Sequence, residues 1–170
     1  MGALKVVDAT KTQAESLSQS LRAADLREIK AFSNLSPIQE LQRPLLNKQA
    51  HTYSVVDAEG FVYAMFGVSR TCLYPLKVGA PWMLASDNIF KEHKREFLKQ
   101  SPTWIDFLGK EYDVLENFVY ARNEIHIRWL KHVGFEFVQY MEKWGAQKEP
   151  FWRFRMVMKK GMVKGQLRHL

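Results

Sequence analysis

The stretch NFVYARNEIHIRWLKHVGFEF, Asn117 to Phe137, constrains the fold more than any other part of the chain, because its hydrophobic period changes within a few residues. Phe118, Val119 and Tyr120 form a β-prone apolar run, whereas Ile127, Leu130 and Val133 recur at helical spacing. Asn123 stands where an N-cap is needed and Gly134 where a C′ residue is needed, which bounds a helix of roughly ten residues. The unit reads as strand, short helix, glycine stop and strand.

The flanking chain alternates in the same way. Leu4 to Asp8 is a short strand candidate, and Thr10 to Phe32 is helical in composition, with Leu17, Leu21, Leu26 and Ile29 as its apolar positions. Ser36-Pro37 opens a helix from Ile38 to about Leu46. Tyr53 to Val56 and Phe61 to Val68 are extended, with hairpin turn chemistry at Asp57 to Gly60 between them. Pro81 to Ala85 is a short apolar strand started by proline, and Ser86 or Asp87 caps a helix from Asn88 to about Gln100. Ser101-Pro102 restarts a helix carrying Trp104, Ile105 and Leu108. Strands follow around Phe135 to Met141 and Phe151 to Met158. Strands alternating with helices predict an α/β fold: one mixed, mostly antiparallel sheet with helices on both faces.

At 170 residues and 46% hydrophobic content the chain can bury one core. One domain is expected over residues 1–158, with a basic C-terminal arm over 159–170. No apolar run approaches the roughly 18 residues that span a bilayer, and the first residues lack a signal peptide's apolar centre. Gly2 is followed by Val6 where myristoylation needs Ser or Thr. The expectation is a soluble protein made in a cytoplasm, with no membrane partner. Cys72 is the single cysteine, which excludes an intramolecular disulfide, and it reads as a small core residue.

The charge is uneven. Arg153, Arg155, Lys159, Lys160, Lys164 and Arg168 supply six of the net +7, with no acid from Arg153 to the end. Such a segment can lie along nucleic acid or an acidic protein surface, or be a solvated tail. Arg153 and Arg155 also fit outward strand positions between Trp152, Phe154 and Met156. His126 and His132 fall about 120° apart on a helix, too far to share one metal, and read as surface or partly buried histidines. Glu116, Glu124 and Glu136 read as solvated. No metal site is expected.

The order of elements resembles the GCN5-related N-acetyltransferase (GNAT) fold, and Asn123 to Phe135 is similar to that family's last motif. More specifically, PWMLASD at Pro81 to Asp87, LENFVYARN at Leu115 to Asn123 and IRWLKHVGF at Ile127 to Phe135 resemble a group of small proteins of short-tailed, T7-like bacteriophages. These are described as internal virion protein A or as phage GNAT-like proteins.

The resemblance implies where catalysis would sit. Active GNAT members carry closely spaced glycines after the central strand, so that backbone N–H groups approach the CoA pyrophosphate. Here the loop reads ASDNIFKEH, with no glycine and with Asp87 placing negative charge there. The family's proton-donating tyrosine falls on Leu130, and leucine transfers no proton. PWMLA offers no Glu, His or Asp as a base.

The expectation is therefore a virion-associated structural or morphogenesis protein on a degenerate fold, with no catalytic residue, a vestigial Asn123 and no cofactor. Its partners would be other virion proteins and packaged DNA, contacted through Lys159, Lys160, Lys164 and Arg168. The alternative is an acetyl-CoA-dependent N-acyltransferase acting on a host protein or small amine, with Met83, Leu84 and Ala85 beside the cofactor. A host-directed binding module is a third reading.

Overall fold

The computed structural model describes residues 3–159. Strands β1 (Lys5–Asp8), β2 (Ala50–Val56), β3 (Val62–Cys72), β4 (Val78–Ala85), β5 (Val114–Tyr120), β6 (Glu136–Trp144) and β7 (Glu149–Val157) form one sheet in the order β1-β2-β3-β4-β5-β7-β6. The helices are α1 (Lys11–Ser18), α2 (Ala23–Phe32), α3 (Pro37–Gln42), α4 (Asn88–Glu92), α5 (Lys94–Gly109) and α6 (Glu124–His132). All strand neighbours are antiparallel except β4 and β5, which run parallel. This is the expected α/β sheet.

The central strands are buried on both faces, so β3 reads as a continuous apolar run, VYAMFGV, rather than an alternating one. Its residues divide between two cores. Val62 and Met65 pack with Leu17, Leu21, Ile29 and Leu41 from α1 to α3. Tyr63, Phe66 and Val68 join Ile89, Phe97, Trp104 and Trp129 from α4 to α6 on the other face. There Phe66 stacks on Trp104 with centroids 5.1 Å apart, an offset arrangement that adds to the area buried.

Several boundaries differ from expectation for local reasons. The segment from Thr10 to Phe32 is two helices, because the chain between them bonds to the sheet: Leu21 bridges Ser86, and the Arg22 N–H donates to the Ala85 carbonyl at 3.0 Å. The helix from Pro37 stops at Gln42 and gives way to a 3-10 turn at Pro44–Leu46, since Pro44 has no N–H for the α ladder. The break between α4 and α5 falls at His93, and α5 runs through Pro102. Proline at that position deprives the Leu98 carbonyl of its helical donor. His132 Nε2, 2.8 Å from that carbonyl, supplies the replacement from α6.

Neither Ser86 nor Asp87 caps α4; the Ser86 hydroxyl donates instead to the Tyr63 carbonyl at 3.3 Å. Cys72 is exposed rather than in the core, because β3 outruns the layers that cover it. Pro81 sits inside β4 rather than at its start.

Candidate functional site

β4 and β5 are in register at Val78 with Val114 and at Gly79 with Leu115, and beyond that rung they diverge. The close approach at the rung requires glycine: a Cβ on Gly79 would stand 2.6 Å from Val68 Cγ2 and 2.9 Å from the Tyr112 ring. The strands then open as a V. Strand edges that face such an opening carry unpaired N–H and C=O groups unless something else bonds them.

Here side chains bond them. Pro81 has no N–H to leave unpaired, and its carbonyl accepts from Asn117 Nδ2 at 2.9 Å. Asn117 Oδ1 accepts the Phe118 N–H at 2.9 Å. At the top of β4 the Ala85 N–H donates to Asp25 Oδ2 at 3.0 Å, and at the top of β5 the Tyr120 N–H donates to Glu28 Oε2 at 3.1 Å. Both carboxylates come from α2, which lies across the mouth of the V.

Asp25 is 0% exposed and is satisfied by four donors: Arg22 Nε at 3.1 Å, Arg22 Nη2 at 2.7 Å, the Ala85 N–H, and Asn123 Nδ2 at 3.3 Å. A fork-shaped guanidinium and two amides thus take the place of its hydration. The Arg22 guanidinium also stands 5.2 Å from the Phe90 ring centroid. Asn123 is shared three ways. Its Oδ1 caps α6 by accepting the His126 N–H at 3.3 Å, and its Nδ2 reaches both Asp25 and Glu28, the latter at 3.1 Å. Glu28 Oε1 in turn lies 3.4 Å from His126 Nδ1.

The two faces of the V are unlike. Under α5 and α6, Trp104, Trp129, Leu130 and Phe135 fill the space and leave a void of only about 10 Å³. Towards α2 and α3 a cavity of about 490 Å³ opens, walled by Phe32, Trp82, Phe118, Trp144 and Phe151. Glu28, His126, Glu40, Arg43 and Arg70 supply its ionisable groups, and among the described residues no tyrosine or cysteine lines it. Glu40 is ion-paired with Arg43 at 2.9 Å.

Tyrosines with raised values lie elsewhere. Burial, then hydrogen bonds to Glu92 and Asp57, push the Tyr63 phenol far above its usual value, away from the gap. Burial likewise raises Tyr112, opposed by Arg70 and assisted by Glu111.

Among the positions singled out in the sequence, Met83 (2% exposed) and Ala85 (0%) belong to the α4–α6 core, while Leu84 packs on the opposite face. Leu130 is 2% exposed on the inner side of α6. Asn123 is the α6 cap. His126 is buried beside Glu28 rather than surface-placed, and Glu116 is ion-paired with Arg153 at 2.8 Å rather than solvated. Lys159 is exposed, and Lys160, Lys164 and Arg168 lie outside the described residues. Sequence reasoning missed Arg22, Asp25 and Glu28. An acid in the first turn of a helix reads as ordinary dipole compensation, so nothing marked Asp25 as buried. Among the described residues no group of three or more His, Cys, Asp or Glu could hold a metal ion, and no helix is long and apolar enough to cross a membrane.

A sheet with this strand order, splayed between its parallel β4 and β5, is the GNAT-like fold. An N-acetyltransferase of this class from Kribbella flavida superposes with a TM-score of 0.69 at 15% identity, covering 92% of this chain and 98% of that one. The ribosomal-protein-S5-alanine acetyltransferase of Vibrio fischeri gives 0.66 at 15% identity, over 92% and 94% of the two chains. Spermidine N-acetyltransferase from Vibrio cholerae, solved with CoA and spermine, gives 0.66 at 10%, over 92% and 96%. At such identities the likeness is one of fold.

The sequence relationship is narrower. The family described as bacteriophage T7 probable scaffold protein Gp13 matches residues 53–142, more than half of the chain, and the chain belongs to that family. Probable scaffold protein gp13 of Escherichia phage T7 is 33% identical over 69 residues, which is 36% of this chain and 50% of that protein. The chain thus spans about half the length of this relative. The matched segment holds β3 to β5 and α4 to α6, and α2 with its two carboxylates lies outside it.

Proposed function

We propose that this chain is a bacteriophage structural or morphogenesis protein, incorporated in the virion, that works through its surfaces on an acetyltransferase-like fold without transferring acyl groups. Family membership supports the phage role. The observation that carries the non-catalytic reading is the occupation of the β4–β5 edges. A thioester-bearing chain threaded between the strands needs their backbone groups, and Asp25, Glu28, Arg22 and Asn117 already bond them. Displacing Asp25 would leave Arg22 buried and unpaired, a cost of about 3 to 5 kcal/mol. The glycine-free loop after β4 and the buried Leu130 agree with this.

Titration calorimetry with acetyl-CoA is the test. The expected result is no binding tighter than about 1 mM, close to 4 kcal/mol. A micromolar Kd overturns the non-catalytic reading. One observation favours the rival, N-acyl transfer: the Glu28–His126 pair on the cavity wall is the arrangement a general base would use. Acetylation of an amine that is lost in His126→Gln would establish it.

Partners in this reading are other virion proteins and packaged DNA, the latter met by Lys159, Lys160, Lys164 and Arg168. Deleting residues 163–170 is expected to lower incorporation into purified particles and to flatten the salt dependence of DNA binding. Unchanged incorporation and slope would leave the arm without that role.

A further inference from the structure

One end of the sheet gathers apolar and cationic side chains that the rest of the molecule does not cover. Arg70 pairs with Gly79 and Cys72 with Val78, so residues 73–77 form a tip beyond the last rung of β3 and β4. There Leu73, Tyr74 and Leu76 are 56%, 87% and 50% exposed. Val157 is placed at the same end by the pairs Val78 with Val114 and Val114 with Val157, and it is 66% exposed. Exposed apolar side chains scattered singly are ordinary, whereas a cluster at the apex of a projecting hairpin marks a contact.

Backbone hydrogen bonds bring four segments together around this apex. The Arg70 N–H donates to the Gln49 carbonyl, the Asp113 N–H to the Lys77 carbonyl, and the Met158 N–H to the Asp113 carbonyl. Residues 47–49, 70–77, 110–113 and 158–159 therefore meet here, and they carry Lys48, Arg70, Lys77, Lys110 and Lys159, all exposed. Their acids are Glu111 and Asp113, and Asp113 Oδ2 already accepts the Lys77 N–H at 2.9 Å. The collar around the apolar apex is cationic in excess.

We infer that this end of the molecule docks on an anionic lipid surface, with Leu73, Tyr74 and Leu76 entering the interface and the collar meeting phosphate headgroups. Spacing supports it. Arg70 and Lys77 flank residues 73–76, so at about 3.3 Å per residue the collar stands on the order of 5 to 10 Å behind the apex. Interfacial segments bury their apolar side chains to a depth of about 5 to 10 Å, and tyrosine suits that boundary because one end is apolar and the other polar. The backbone is also suited to losing water. Pro75 has no N–H to desolvate, and the Tyr74 carbonyl accepts from Cys72 Sγ at 3.2 Å. Nucleic acid would engage the collar and leave the apex in water. The contact is made by a hairpin and needs no membrane-crossing helix, and it departs from the expectation of no membrane partner.

Co-sedimentation of the full chain with vesicles of equimolar phosphatidylcholine and phosphatidylglycerol is the test. Wild type is expected to bind them at least about tenfold more tightly than pure phosphatidylcholine vesicles, and to release in about 1 M salt. Tyr74→Asp and Leu76→Asp should each weaken binding at least about tenfold. Both positions are half or more exposed, so the fold is retained, and thermal melts matching wild type would verify it. Cys72, exposed and the single cysteine, allows an environment-sensitive fluorophore to be attached beside the tip. Its emission should move to the blue on anionic vesicles in wild type and stay fixed in Leu76→Asp. Failure of wild type to bind anionic vesicles overturns the inference and leaves the tip to a protein partner. So do binding unchanged in both variants, as attraction through residues 160–170 alone would give, and binding without the blue shift.

Discussion

The Asp25 carboxylate accepts the backbone N–H of Ala85 at 3.0 Å, joining α2 to the end of β4 across sixty residues of chain. The same group neutralises Arg22, which is 1% exposed. Removing it therefore leaves a buried cation and a buried amide unpaired together. Asp25→Ala is expected to lower stability by about 3 to 5 kcal/mol, read as a shift in urea midpoint at unchanged slope. The double variant Arg22→Met, Asp25→Leu should lose less than Asp25→Ala alone, because only the Ala85 amide is then orphaned, at about 1 to 3 kcal/mol. Equal losses would mean that the pair is not the source of the effect.

Gly134 follows α6 with φ of +101°, a backbone region that glycine enters freely and other residues do not. Space is not the obstacle, since a Cβ there would meet only Met156 Cε at 3.4 Å. Gly134→Ala is expected to cost about 1 to 2 kcal/mol through backbone strain alone. Thermal melts should show the drop.

Tyr63, Asp57 and Glu92 form a pH-dependent clasp at the β2–β3 turn. The Tyr63 hydroxyl donates to Glu92 at 2.8 Å and to Asp57 at 3.2 Å, and burial with these bonds holds the phenol above its ordinary value of 10.0. A raised phenol stabilises the fold fully below the unfolded value and loses that contribution as pH climbs through the folded one. Asp57 behaves oppositely. Burial alone would raise it, but the Phe61 N–H, the Tyr63 hydroxyl and the Glu59 N–H outweigh burial and hold it below 3.8. Its contribution is present above that pH and fades as acid protonates the folded carboxylate. Spectroscopic titration should show one tyrosine that ionises only with alkaline unfolding, and Tyr63→Phe should remove it. A full set of tyrosines titrating near 10.0 in the folded protein would contradict the clasp.

How much of this was legible in the sequence depends on whether the cause was local. The α6 unit was legible because Asn123, the Ile127–Leu130–Val133 spacing and Gly134 each encode one local requirement, and all agree. The hairpin of β2 and β3 was legible for the same reason. The course of α5 was not: Pro102 normally opens a helix, and its tolerance in mid-helix depends on His132, thirty residues away in sequence. Cys72 was misplaced because a strand's composition does not tell where its covering layers end. The occupied β4–β5 gap lay furthest from reach. Asp25 and Glu28 look like surface acids of an amphipathic helix, and only the tertiary course of α2 aims them at Ala85 and Tyr120.

Asn123 gives the sharpest test of that seam, because its two roles make opposite demands. As a cap for α6 it needs only an acceptor, and asparagine, aspartate and serine serve about equally well at such positions. As a donor it faces two carboxylates, Asp25 Oδ1 at 3.3 Å and Glu28 Oε2 at 3.1 Å, and the amide's two N–H groups can serve both at once. Asn123→Asp keeps the cap and sets a third carboxylate against the other two in a site where Asn123 is 1% exposed. Like charges so placed cannot all ionise, so the variant is expected to bind a proton on folding and to gain stability as pH falls from 7 to about 5. Asn123→Ser also keeps the acceptor without the charge, and should lose stability by about 1 to 3 kcal/mol with no such pH dependence. Urea unfolding of both variants at the two pH values decides it. Asn123→Asp as stable as wild type at neutral pH would show that Asn123 is merely a cap.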